Sequence, residues 1–239
     1  MNNDQRFSGL LGGEEYDLLK KALWYYDDLE LAVANTIVKN IKSAEEVRML
    51  EIGIGSGITT AFVLQACDDV KMDNYKIYAV DNETKMLEAL KKRFQNISQI
   101  DFIESEIMDY LKSIDDNYFD VVFSGYVIHN FSIEKRNELF KEIARVTKKG
   151  GIFVNGDKCT VDDGPLQKEY IENTINTFEA FVQIGRSDVK EEWIKHYAED
   201  EKVRFTESEQ SRLLIQNNYE SISTVYRQWM DSVMIAVKK

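Results

Sequence analysis

The 239-residue chain is 44% hydrophobic and 30% charged, enough apolar content for one sizeable α/β core or a core with a small helical insertion. Its formal charge of −12, from 42 acidic against 30 basic side chains, works against a polyanionic partner, so no nucleic-acid substrate is expected. Cys67 and Cys159 lie in separate elements without metal-ligand spacing, no segment approaches the ~18 apolar residues of a membrane span, and MNNDQRFSG lacks a signal-peptide core; the expectation is a cytoplasmic protein with no disulfide framework, metal site or membrane anchor.

Residues 1–13 are polar and glycine-bearing, which predicts a loose arm or a lid that orders on ligand binding. From Glu14 to Ile41 apolar residues recur at helical spacing, interrupted at Trp24 to Asp28 (WYYDD), so two helices with a break are expected. Tyr25 and Tyr26 at that break are candidates for a substrate wall, with core packing an equal alternative. The stretch VRMLEIGIGSGITT, Val47 to Thr60, organises the rest of the chain: an apolar strand buried on both faces, then Gly53, Gly55 and Gly57, then a helix start. Bare backbone and a helix N-terminus suit a ligand with an anionic group such as a carboxylate. A G-x-G-x-x-G dinucleotide fingerprint is not met, because Ile58 stands at its third glycine. Glu51 ends the strand, where its carboxylate can accept hydrogen bonds from an ammonium group or from loop amides and would repel a pyrophosphate. A next parallel strand, Lys76 to Val80, ends in Asp81, suited to the two hydroxyls of a ribose.

Helices are predicted over Ser56 to Cys67 and Glu83 to Phe94, alternating with strands at Ile100 to Ile103 and Phe119 to Phe123, the pattern of a parallel doubly wound sheet. The fourth strand leads to Ser124, Tyr126, His129 and Asn130 at the edge where such sheets bind ligands. A neutral imidazole there is a candidate general base, with a structural role as the alternative reading of His129. Ser132 opens a helix to Thr147 that Gly150 and Gly151 end, a strand runs through Ile152 to Val154, and Asn155, Asp157 and Lys158 come next at the same edge. Pro165 marks a turn into a helical segment, Gln167 to Ala198; a last helix from Thr206 to about Asn217 precedes two strands, Glu220 to Tyr226 and Met230 to Val237.

MLEIGIGSG followed by YAVDNETKML resembles the first two motifs of class I S-adenosylmethionine-dependent methyltransferases, and DFIESEIMDYL, FDVVFSGYVIHNF and FKEIARVTKKGGIFVNGD fit in order. The resemblance covers about residues 45–239, and from Asp157 onward it is similar to the branch of carboxy-S-adenosylmethionine synthases and related small-molecule methyltransferases. It implies a Rossmann-like sheet of seven mostly parallel strands closed by an antiparallel hairpin. It also implies three regions: an N-terminal arm and helices (residues 1–42), a donor-binding domain (43–160 and 203–239) and a helical insertion walling the substrate pocket (161–202). S-adenosyl-L-methionine is the implied methyl donor. Carried over residue by residue, Glu51, Gly53, Gly55 and Gly57 serve its methionine end, Asp81 and Asn82 its ribose, Glu106 and Ile107 its adenine, and Ser124 the sulfonium side. Tyr25, Tyr26, Tyr126, Lys195 and Tyr197 become substrate candidates and His129 the catalytic one. The synthases grip an extra carboxylate with an arginine, and an ungapped match puts Lys195 there, a charge without the bidentate fork. The expected activity is in-line methyl transfer to a small molecule. A carboxy-S-adenosylmethionine synthase-like enzyme, a non-catalytic donor-binding protein and a nicotinamide oxidoreductase are the alternatives, and a homodimer stays open.

Overall fold

The computed structural model describes residues 18–41 and 46–239, so the predicted arm at residues 1–13 lies outside the described residues. Among those residues one sheet runs in the order β3-β2-β1-β4-β5-β7-β6. Its strands are β1 (Val47–Ile52), β2 (Tyr75–Asp81), β3 (Ile100–Glu104), β4 (Phe119–Gly125), β5 (Thr147–Lys158), β6 (Tyr219–Gln228) and β7 (Asp231–Lys238). The first five are parallel, and β7 runs antiparallel between β5 and β6. The predicted terminal hairpin is thus present, turned by Trp229 at φ 52°.

Side chains of a buried strand serve opposite faces in turn, so the apolar run of β1 feeds two cores. Val47 and Met49 join the core beneath α1 (Leu19–Ala22), α2 (Tyr26–Asn40), α3 (Ile58–Asp69) and α4 (Thr84–Arg93). Leu50 and Ile52 join the core beneath α5 (Ile107–Ser113) and α6 (Ile133–Val146), completed by α10 (Glu207–Gln216). The break between α1 and α2 falls at Leu23 to Tyr25, overlapping the predicted WYYDD stretch. Ser132 caps α6 by accepting the Lys135 amide, and Thr206 caps α10 by accepting that of Glu209.

One predicted boundary is corrected. Gly150 and Gly151 do not end α6; the helix stops at Val146, and the glycines lie inside β5, where the pairing with β4 shifts between Phe119 and Val121. Thr147 makes the transition, its hydroxyl donating to the Ile143 carbonyl at 2.6 Å and accepting from the Tyr219 hydroxyl at 2.9 Å. A Cβ on Gly151 would stand 2.8 Å from the Asp120 carbonyl oxygen, so the bulge needs a residue without a side chain. The predicted helical segment after β5 consists of three helices, α7 (Gly164–Thr177), α8 (Glu179–Gln183) and α9 (Ser187–Asp200), broken at Phe178 and at Gly185 with φ 76°.

Candidate functional site

The C-terminal ends of β1, β2 and β3 bring together most of the residues assigned from the first two motifs. The chain leaves β1 in a tight turn in which the Gly53 and Ile54 amides both donate to the Val80 carbonyl, and Gly57, at φ 72°, caps α3. The three glycines serve different ends. A Cβ on Gly53 would meet Val127 at 2.7 Å and one on Gly57 would meet Leu90 at 2.7 Å, so these two are required by packing and backbone conformation. Only at Gly55 does the missing side chain face open space. The Gly55 amide donates to Asp81 Oδ2 at 2.9 Å, and Asp81 Oδ1 accepts from the Glu83 amide at 3.0 Å, which fixes that carboxylate beside the turn. Asn82 Nδ2 donates to Glu106 Oε1 at 2.7 Å, joining two assigned residues from neighbouring strand ends. Ile107 begins α5 and packs in the core that also holds Val80.

Glu51 differs from the sequence expectation in what it meets. Its side chain turns onto the α2–α3 face, only 1% exposed, and accepts from the Thr60 hydroxyl at 2.6 Å. Burial pushes its carboxyl up to about 8, reinforced by the negative charges of Glu30 and Asp81 and opposed by the Thr60 bond. Glu30 of α2, equally buried, is pushed up to about 7 by burial, with Thr59 as its hydrogen-bond partner. Ser124 is fully buried, and its hydroxyl has no hydrogen-bond partner among the described residues. An orphaned hydroxyl, an open glycine face and buried acids without an ion-pair partner among the described residues fit a polar, cationic ligand laid along this edge.

A second cluster stands at the ends of β4 and β5. His129, in a short 3-10 turn at Ile128–Asn130, is held twice by the fully buried Asp157: its amide donates to Oδ2 at 3.0 Å and its Nδ1 to Oδ1 at 2.5 Å. Asp157 also accepts from the Lys158 amide, so its place is fixed by the strand it sits on. With Nδ1 engaged, Nε2 is left as the functional nitrogen. Lys158 pairs with Asp200 and lies 3.7 Å from the centre of the Tyr197 ring, and His196 Nε2 approaches Asp200 at 3.4 Å. Burial alone would raise the Asp200 carboxyl; the Lys158 ammonium, with the imidazoles of His129 and His196 beside it, overrides this and holds it down at about 2. His129, Lys158, Tyr197, Asp200, Arg204 and Met230 line a small pocket. His129, His196 and Asp200 bring candidate metal-ligand atoms within 4.8 Å of one another, but the Lys158 ammonium already sits on Asp200, and two like charges would compete there.

The other substrate candidates divide. Tyr197 lines the pocket; Tyr126, at φ 56°, stacks on Tyr26 with centroids 5.4 Å apart, and both rings are buried beside the cluster. Tyr25 is fully buried edge-on to Trp229, and its neighbour Asp231 is pushed up to about 6 by burial. Lys195 stands apart: it is 67% exposed on the outer face of α9 and pairs with Glu192. Residues 195 and 197 are separated by about 200° on a helix, so the turn that brings Tyr197 inward carries Lys195 outward. Sequence reasoning missed Glu30 and Asp200. Glu30 sits in the apolar stripe of Tyr26, Leu29, Val33 and Ile37, and Asp200 one turn after His196; an acid inside such a stripe and an i, i+4 His–Asp pair were the readable signals.

Comparisons with known proteins bear on the domain and the fold. Residues 50–155 match the family model described as a methyltransferase domain. The carboxy-S-adenosyl-L-methionine synthase of Campylobacter fetus subsp. fetus is 20% identical over 223 residues, spanning 93% of this chain and 89% of that protein. Among solved structures, the CurJ carbon methyltransferase superposes with a TM-score of 0.62 at 16% identity over 99% of this chain, which spans 61% of that longer protein. A SAM dependent methyltransferase from Archaeoglobus fulgidus gives a TM-score of 0.60 at 14% identity over 93% of this chain and 99% of that one.

Proposed function

We propose that this chain, an S-adenosylmethionine-dependent methyltransferase by the domain at residues 50–155, passes its methyl group to a small-molecule acceptor held in the pocket beside His129. The observation that carries this reading is the buried Asp157–His129 pair opening on that pocket. S-adenosyl-L-methionine supplies a methyl made electrophilic by its sulfonium. Toward it, Gly55 offers bare backbone, Asp81 and Asn82 stand for the ribose, Glu106 and Ile107 for the adenine, Ser124 for the sulfonium side and Glu51 for the ammonium. Asp157 holds His129 in the tautomer whose Nε2 accepts a proton, and the imidazolium formed is stabilised by the same carboxylate. Tyr197 and Lys158 orient the acceptor, and Phe205 and Met230 keep water from it. In this reading residues 161–202 wall the pocket, α1 and α2 cover the donor edge, and residues 43–160 with 203–239 form the donor-binding domain.

A carboxy-S-adenosylmethionine synthase-like activity is the second reading, favoured by the relatives bearing that name. Lys158 would be its carboxylate partner, since Lys195 points away. Mass spectrometry separates the two: the chain is incubated with methyl-labelled S-adenosylmethionine and a metabolite extract. A labelled metabolite that disappears with His129→Ala supports the first reading, and a donor gaining the mass of a carboxylate supports the second. Donor binding with neither product overturns both.

A further inference from the structure

We propose that Glu30 is a donor-binding residue: with Glu51 it forms a two-carboxylate wall for the ammonium group of the donor's methionine end. The inference rests on the reading of the chain as a binder of S-adenosylmethionine and adds a residue from α2, outside the matched domain, to that site.

Three observations meet at this point. Glu30 is only 1% exposed, and its Oε2 has no hydrogen-bond partner among the described residues. Burying a carboxylate oxygen without a partner is costly, so such an oxygen marks a place that a ligand donor completes. Glu30 lies close enough to Glu51 for its charge to push the Glu51 carboxyl up, yet neither forms an ion pair among the described residues. Their supports are consecutive, Thr59 behind Glu30 and Thr60 behind Glu51, both in the first turn of the helix that Gly57 caps. Thr59 in turn packs on the bare backbone of Gly125 at the end of β4. The two carboxylates therefore flank the glycine turn at its methionine end, one from the sheet and one from the covering helix.

The groups that face the pair are few. Lys20 of α1 is the cation nearest Glu30, and it is engaged by Asp27 at 3.3 Å; Asp81 of β2 faces Glu51, and the buried Tyr126 faces Glu30. With both carboxyls raised by burial, the unliganded pair retains protons near neutral pH. An arriving ammonium favours the ionised forms, and the released proton passes to the buffer. Affinity for the donor's amino-acid end consequently rises with pH and is lost as pH falls through the carboxyls' unliganded range.

Calorimetry of the full chain with S-adenosylhomocysteine tests this, in buffers of different ionisation enthalpy. The expected result is net proton release near pH 7, binding about tenfold tighter at about pH 8 than at about pH 6, and for Glu30→Gln about tenfold weaker binding with a shallower pH slope. Methylthioadenosine, which has the adenosine but no ammonium, is expected to bind Glu30→Gln and the unaltered chain alike. Glu30→Gln with unaltered affinity and slope for S-adenosylhomocysteine overturns the proposal, as does equal weakening of both ligands. Should that variant not fold, the proton count on the unaltered chain decides: binding without proton release overturns it. Absence of binding by any adenosyl ligand to the unaltered chain instead removes the donor reading itself.

Discussion

Glu51 and Asp200 are both buried carboxylates near the ligand edge of the sheet, and their surroundings drive them in opposite directions. Around Glu51 the neighbouring charges are Glu30 and Asp81, and the carboxyl rises to about 8; around Asp200 stand the Lys158 ammonium and the imidazoles of His129 and His196, and it falls to about 2. The proposed donor edge is thus an acidic recess, whereas the proposed acceptor pocket is balanced internally by its own lysine. That contrast matches the division of labour proposed: a cationic donor on one side, an acceptor that must lose a proton on the other.

The largest effect expected on the acceptor side is at His129. His129→Ala should lower kcat by about 10²–10⁴-fold while leaving the affinity for S-adenosylhomocysteine unchanged, because in the proposed mechanism the imidazole acts on the acceptor and not on the donor. Asp157→Asn should follow it in kcat and shift the acidic limb of the pH–rate profile, which a purely structural histidine would not do. Loss of donor binding in either variant would break the separation of the two regions.

Lys158 comes next. Removing its charge in Lys158→Met strands Asp200 among low-dielectric neighbours and should destabilise the fold by about 3 kcal/mol, read as a lowered midpoint in urea. The double variant Lys158→Met, Asp200→Leu should recover most of that loss, since a buried pair replaced by apolar groups is often neutral. Asp200's low carboxyl places its contribution above about pH 4, and it disappears as pH falls through about 2.

Glu51 predicts the reverse pH trend. A carboxyl raised in the folded state keeps its proton where the unfolded chain has lost it, so stability without donor falls as pH rises from about 4.5 toward about 8. Glu51→Gln should therefore raise the unliganded stability at pH 8 by on the order of 2 kcal/mol and change little at pH 5, in urea melts at the two pH values. Equal gains at both would mean the effect is packing. At the same edge, Asp81→Ala should weaken the donor about tenfold, ~1.4 kcal/mol, by titration calorimetry; unchanged affinity would remove its assignment to the ribose.

The two regions also differ in how much the sequence revealed. The donor edge is made where strands turn directly into helices, so Glu51, Gly53, Gly55, Asp81 and Glu106 each lie within a few residues of a strand end, and short motifs mark them. The acceptor pocket draws on His129, Lys158, Tyr197, Arg204 and Met230, which come from a 3-10 turn, a strand end, a helix, a loop and a hairpin turn. Only packing brings these together, and no spacing in the chain encodes it. The mostly parallel doubly wound sheet and its terminal hairpin were legible from alternation and resemblance. The bulge at Gly150–Gly151 was not, because glycines after a helix read equally well as its end.

Lys195 gives the smallest expected effect and the sharpest use of the difference. A gapless match to the synthases put a cation at this position, yet on α9 it lies outside while Tyr197 and Asp200 turn inward, so the positive charge of the pocket comes from Lys158 on β5 instead. Lys195→Ala should alter kcat and KM by less than about twofold and leave the melting temperature in place, as expected for an exposed pair with Glu192. Lys158→Gln should in contrast raise KM for an acceptor or donor bearing a carboxylate and leave an uncharged acceptor nearly unaffected. A strong KM effect at Lys195 with none at Lys158 would mean that α9 turns its outer face to the substrate, and the pocket drawn from His129, Tyr197 and Asp200 would no longer be the place where the acceptor binds.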